Sequence, residues 1–313
     1  MQEIIKIFCL LSYVLNSSSY HLSETLFEKI FVEKKATIQE LNALAQRHFL
    51  RPKHAERMSK EAIQHYKKLY SRLSIEQKKE IIKYFYDLGY ITSVYPKRNV
   101  CPDIILIQGS TVPDMRERLM FLAKNIENGI IFFKPETQIV FLVGERTLFL
   151  TETKEVLLNT SPYLKDPHWN IPKILPLDER EASKLIWDQL QLPSSLREKK
   201  PIFIEATKQQ NSTRAQTMDC VQLWLQKTTP QAHKKVLMIS NNPYIHYQKD
   251  VTDLEISKAG FNNFFDIEGI GRSFDLDNQN IDITIGILMD TLARVLYVEN
   301  QRQEMLSKTK SDT

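Results

Sequence analysis

Two apolar runs in the middle of the chain show no alternation of apolar and polar residues. The first, Asp103-Ile-Ile-Leu-Ile-Gln108, stops at Gly109-Ser110-Thr111, and the second, Gln138-Ile-Val-Phe-Leu-Val143, stops at Gly144-Glu145-Arg146. Continuous runs of this length suit strands buried on both faces, as in a parallel sheet. Between them Met115, Leu119, Leu122, Ala123 and Ile126 fall near helical spacing, so 103–143 reads as a β-α-β unit. Pro201-Ile-Phe-Ile-Glu205 and Val236-Leu-Met-Ile-Ser240 predict two further strands. Each leads into a helix, 217–226 with Val221, Trp224 and Leu225 inward, and 244–259 capped by Gly260.

The remaining pattern fills in around these strands. A short helix is expected over 151–158 and another over 178–190, with a loop over 159–176 that holds four prolines. A loop this long either covers a binding site or is an ordered surface segment. Residues 264–268 predict a short last strand, ended by a flexible turn at Gly269-Ile-Gly271-Arg272. From 282 to 304, Ile283, Ile287, Leu288, Leu292, Val295 and Leu296 form one stripe of a long final helix.

Before the first strand the period is helical. Helices are expected over 24–49, 54–72 and 74–88, with Thr37/Glu40 and Ser74/Gln77 as capping boxes, Arg51-Pro52 as a break and Gly89 as a stop. Tyr66, Tyr70, Tyr84, Phe85, Tyr86 and Tyr90 read either as a stacking surface or as packing. The chain therefore divides into 1–22, a signal peptide or first helix; 23–95, a helical region; 96–306, an α/β domain; and 307–313, a disordered tail.

At the N-terminus the apolar run Ile7 to Leu15, followed by Asn16-Ser17-Ser18-Ser19, is compatible with a secretory signal or a buried first helix. Export would make the protein periplasmic or secreted; otherwise it is cytoplasmic. No transmembrane span is expected, because no run reaches the roughly 20 apolar residues a membrane requires.

Composition narrows the partners. The 313 residues carry 42 basic and 38 acidic side chains, and lysine pairs such as Lys67-Lys68 and Lys199-Lys200 are scattered, so no nucleic-acid surface is expected. Cys9, Cys101 and Cys220 are too few for a disulfide framework, and either a Cys101–Cys220 bridge or free thiols fits. No metal site is expected, since His168, His233 and His246 stand alone and acidic residues lack ligand spacing. No Walker loop, G-x-G-x-x-G or G-x-S-x-G is present.

The chemistry-bearing residues cluster where strands stop. Backbone amides after Gly109, at a helix start, suit an anion; Ser110 and Thr111 add hydroxyls, and Arg116 or Arg118 and Arg146 add forked donors. Gly109 has a plainer reading as a strand-to-helix turn capped by Ser110 or Thr111. Glu145, Glu152, Glu205 and Asp219 either act on a proton or pair with arginines.

The order of these residues resembles the YdcF- and SanA-like family, bacterial proteins of unknown function found mostly in cell envelopes. The matching positions are Gly109 with Arg116 or Arg118, Val143-Gly144, Thr151-Glu152, Gln216-Thr217-Met218-Asp219-Cys220 and Ile239-Ser240-Asn241, across about 103 to 260. Glu145 replaces a glycine of the family pattern, and Gln216 and Cys220 replace asparagines. The resemblance implies a Rossmann-like α/β sandwich, here a three-layer parallel sheet with an N-terminal all-helical region. It also implies a small-molecule site, with S-adenosylmethionine or a nucleotide as the suggested ligand, and envelope association. On this reading Gly109, Ser110, Thr111 and Arg116 hold an anionic group. Gly144, Glu145, Arg146, Glu152, Glu205, Thr217, Asp219, Asn241 and Asn242 shape the rest. The competing expectation is a non-enzymatic, exported interaction protein whose helical region binds a protein partner; whether the chain is an enzyme stays open.

Overall fold

The structure is a computed structural model that describes residues 37–52, 59–97, 99–210, 214–228, 230–276 and 280–311. The signal-like segment and the first part of the 24–49 helix lie outside the described residues. The chain forms two compact units, one of 1–85 with 276–313 and one of 86–275.

In the second unit the apolar runs are strands. They are β1 (Ile104–Gln108), β2 (Gln138–Gly144), β3 (Ile202–Ala206), β4 (Lys234–Asn241) and β5 (Phe265–Arg272), in the order β3-β2-β1-β4-β5. Every pairing is parallel. Helices α4 (Val112–Glu127), α5 (Lys154–Leu158), α6 (Glu179–Gln189), α7 (Ser194–Arg197), α8 (Thr217–Lys227) and α9 (Ile245–Lys258) connect the strands. The absence of alternation is explained by two cores, one on each face of the sheet. Ile105, Ile107, Phe141 and Ile239 pack with Met115, Leu119 and Leu122 of α4 and Ala182 and Ile186 of α6. Leu106, Leu142 and Met238 pack with Val221 and Trp224 of α8 and Ile256 of α9. Each such large side chain removed from water is worth about 1.5–3 kcal/mol, so the sheet is the rigid body of this unit. The fold is thus the expected three-layer Rossmann-like α/β sandwich with an N-terminal helical region.

The last strand is longer than its sequence suggests. Gly269 and Gly271, read as a turn, continue β5 to Arg272, and Gly271 also bridges to Val94 on the outer edge. Glycine serves there by its size. A Cβ on Gly271 would lie 2.2 Å from the Ser240 carbonyl oxygen, so close backbone approach, and not a turn, explains the residue.

The helical unit contains α1 (Ile38–His48), α2 (Lys60–Tyr70), α3 (Ile75–Asp87), whose last two residues fall in the other unit, and α10 (Ile281–Ser311). The Thr37/Glu40 capping box forms, and Ser74 and Gln77 exchange the equivalent bonds at the start of α3. The final helix groups with these helices rather than with the α/β unit, and it runs on to Ser311 through residues expected to be a disordered tail. It is not buried along one stripe. Residues 283–293 are buried all round, where the small side chains of Thr284, Gly286 and Thr291 let neighbours close in. Tyr66 is so near Gly286 that an added Cβ would lie 2.2 Å from its ring. Tyr66, Tyr70 and Phe85 are fully buried, so these rings serve packing rather than a stacking surface, while Tyr86 is exposed.

Candidate functional site

In a parallel sheet whose order reverses direction, the connections after the two strands at the reversal leave on opposite faces and open a crevice between them. Here that point lies between β1 and β4. Strand parity then decides which side chains meet on each face.

On the α4/α6 face, Arg118 joins the two strand ends. Its guanidinium donates to the carbonyls of Gln108 (2.6 Å) and Gly109 (2.9 Å) and to Asn241 Oδ1 (2.8 and 2.6 Å). Asn241 Nδ2 reaches Asp114 Oδ1 at 3.4 Å, and Ser110 Oγ donates to Asp114 Oδ2 at 2.7 Å. Gly109, Ser110, Thr111, Asp114 and Asn241 are therefore brought together, with Gly109, Ser110, Thr111 and Asp114 half-buried at the rim. Thr111 is the N-cap of α4 and makes no side-chain capping bond.

Arg116 is directed elsewhere. Two residues apart on a helix is about 200° of rotation, and the Arg116 fork donates to the Val156 and Leu157 carbonyls and to Gln189 Oε1, all within 2.8 Å. Burial lowers it to about 10. It ties α5 and α6 to α4, and Arg118 holds the place at the strand ends.

The α4 N-terminus is already supplied with an anion by the chain. Glu152 Oε1 accepts from Val112 N (2.8 Å), and its Oε2 accepts from Phe149 N (2.8 Å) and from Arg146 (2.6 Å). Arg146 also donates to Glu179 Oε2 at 2.7 Å and to the Ser110 carbonyl at 3.1 Å, and it lies 4.0 Å over the Phe149 ring. Gly144 N donates to Glu179 Oε1 at 3.2 Å. Burial pushes Glu179 above the usual carboxylate range, against the pull of Arg146. Arg146, lowered by burial, is raised overall by its bonds and charge contacts with Glu152 and Glu179. These three buried groups brace the rim from behind and leave the exposed side to Ser110 and Thr111. Gly109 fits the same brace, since a Cβ there would lie 2.0 Å from Glu179 Oε1. Glu179 was not legible as part of the site; in sequence it is only the residue after a helix cap.

On the α8/α9 face, Gln108 and Ser240 stand beside each other, following the Ile107–Ile239 pairing, and Ser240 Oγ donates to Gln248 Oε1. Gly144 lies against Ala215, 3.2 Å from where its Cβ would be. Asn242 turns away from the crevice to hold the incoming chain, its Nδ2 donating to the Gly89 (2.8 Å) and Thr92 carbonyls.

The other acids sit further out. Glu145 is half-exposed and accepts from Lys208 N at 3.1 Å, and Glu205 pairs with Arg180 at 3.3 Å. Asp219 caps α8 by accepting from Gln216 N at 2.7 Å and also accepts from Gln209 at 2.6 Å, beside Thr217 at the helix start. The proline-rich loop bonds to the end of α6, with Asp166 N donating to the Gln189 carbonyl and Gln191 N to the Leu164 carbonyl. Its Leu164, Ile171 and Ile174 are exposed. A groove of about 510 Å³ lined by Gln222, Leu225, Glu255, Lys258 and Phe261 lies at the opposite end of α8 and α9, away from the strand ends.

Cys101 and Cys220 are free thiols, and burial pushes Cys220 up to about 12, which keeps it protonated and unreactive. Among the described residues no group of three His, Cys, Asp or Glu could hold a metal ion, and no helix is long and apolar enough to cross a membrane.

One titration follows from the packing behind the rim. His246, in the first turn of α9, lies 4.7 Å from the Tyr90 ring, and its Nε2 is sheltered. Burial lowers it below the ordinary 6.5, although the Gly89 backbone favours the charged form. A depressed histidine contributes stability that is complete above 6.5 and is lost as pH falls through the folded value. Urea midpoints should therefore fall between pH 7.5 and 5.5, and His246→Phe should shrink that fall. The remainder is expected from His65 in the helical unit, also lowered by burial. An unchanged pH difference in His246→Phe would contradict the assignment.

Compared with protein-family models, with curated proteins and with solved structures, the chain gives no match.

Proposed function

We propose that the α/β unit binds a small nucleoside- or nucleotide-like molecule across the carboxyl ends of β1 and β4, as a divergent relative of the YdcF- and SanA-like proteins. The observation that carries this reading is the reversal of strand order between β1 and β4, with Ser110, Asp114, Arg118, Asn241, Gln108 and Ser240 at the two strand ends. Glu152 already fills the α4 N-terminus. A phosphate placed at Val112 would meet a carboxylate, so the part of the ligand nearest Ser110 is neutral or cationic, as in a ribose or the sulfonium of S-adenosylmethionine. Any anionic part lies further along the rim.

Thermal-shift screening with S-adenosylmethionine, adenosine, nucleotides and phosphosugars tests the reading. A ligand at 100 times its Kd stabilises the folded state by about 2.7 kcal/mol. The expected result is a rise with a nucleoside-bearing probe that is lost in a Ser110→Ala/Asp114→Ala variant. No rise with any probe, or a rise this variant retains in full, overturns it.

A further inference from the structure

Among the described residues, the five most exposed large apolar side chains all lie in 150–177. Leu150, Leu164, Ile171, Ile174 and Leu177 are between 62% and 100% exposed. Single apolar side chains scattered over a surface are ordinary, whereas their concentration in one segment marks an interaction site. The segment is anchored at several points. Tyr163, Trp169 and Leu175 pack against the α4/α6 core. Lys165 bridges to Leu190 just past the end of α6, and Thr147 bridges to Asp178, the N-cap of α6. The loop is thus tied to both ends of this 11-residue helix, which is about 16 Å long. Its inner side chains lie on the core, and the five aliphatic ones stay outside in water.

We infer that this outer side is a membrane-docking surface, whose aliphatic side chains enter the headgroup–acyl boundary of an anionic bilayer while the neighbouring lysines meet its acidic headgroups. The inference is independent of the ligand reading above. The chemistry selects lipid over a protein partner. All five side chains are leucine or isoleucine, whereas tryptophan, tyrosine and arginine anchor protein interfaces and leucine is under-represented there. Leu150 is wholly exposed, so it belongs to no preshaped patch for a rigid partner; a fluid bilayer needs none. The charge agrees. Lys154, Lys165 and Lys173 are exposed. Of the acids in the same segment, Glu152 is buried against Arg146 and Asp166 is paired with Arg197, which leaves Glu155. Apolar burial and attraction to acidic headgroups add in binding of this kind.

Co-sedimentation of the full chain with vesicles tests it, with phosphatidylcholine alone set against an equal mixture of phosphatidylcholine and phosphatidylserine. Binding to the mixed vesicles is expected, about tenfold or more tighter than to phosphatidylcholine. It should weaken as salt rises from about 0.1 to about 1 M, which cuts the screening length from about 10 to about 3 Å. Leu164→Ser with Ile171→Ser and Ile174→Ser is expected to weaken it about a hundredfold or more and to leave Tm unchanged, because these side chains are already in water. Lys165→Glu with Lys173→Glu keeps the aliphatic set and is expected to weaken binding to the mixed vesicles about tenfold or more. No binding to mixed vesicles, equal binding to both kinds, or full binding by either variant overturns the inference. So does a dimer, seen by light scattering, that the serine variant abolishes, since the surface would then be a contact between copies of this chain.

Discussion

Replacing Arg146 with alanine should cost the α/β unit about 3–5 kcal/mol, a large part of a typical domain's stability. The guanidinium is 3% exposed and stands between Glu152 and Glu179, whose side chains are 2% and 7% exposed. Its removal leaves two buried carboxylates facing each other, and it strips the Ser110 carbonyl of a donor and the Phe149 ring of its cation. Loss of the paired charge, and not loss of packing, is the larger effect. Arg146→Leu with Glu152→Gln and Glu179→Gln should therefore recover most of the stability, because no unpaired charge stays buried. Urea midpoints measure both. A loss under about 1 kcal/mol in Arg146→Ala, or a triple variant no better than the single one, would show that the network does not brace the rim.

Gly109→Ala should cost about 3 kcal/mol in the absence of any ligand. The glycine is not among those with positive φ, so conformational freedom is not the reason for it. An alanine Cβ would meet Glu179 Oε1 at 2.0 Å and the Leu142 carbonyl at 2.8 Å. The carboxylate can move only by giving up its bonds from Gly144 and Arg146. The cost should therefore couple to Glu179, and Gly109→Ala with Glu179→Ala should lose less than the sum of the single losses. Additive losses, or an alanine variant as stable as wild type, would return Gly109 to its plainer role as a turn residue.

Three glycines, Gly109, Gly269 and Gly271, show what sequence could and could not carry. Runs such as Ile104 to Ile107 announced buried strands because both faces of the sheet are covered, and a pattern set by local burial is legible locally. Gly109 was legible as a stop and illegible as a gap for Glu179, which is 70 positions away in sequence (179 − 109) and is placed by the bonds that 177–179 make with 146–148, just past the end of β2. Gly269 and Gly271 misled in the other direction, since a glycine pressed by the side chains of Ile245 and Met238, as Gly269 is, or by the Ser240 backbone, as Gly271 is, looks the same as glycine in a turn. Arg116 and Arg118 were indistinguishable until a strand fixed which side of α4 faces Asn241. Glu152 was singled out as a site residue, yet its part in capping α4 depends on three donors that sequence does not align.

The idea that polar groups at the ends of β1 and β4 form the binding site is tested most directly by hydrogen–deuterium exchange with a saturating nucleoside, adenosine for example. Protection is predicted over 108–114 and 240–248, with none over 222–228 and 255–261, where the α8/α9 groove lies. Protection confined to that groove, or ligand binding that leaves 108–114 and 240–248 exchanging as before, would contradict it.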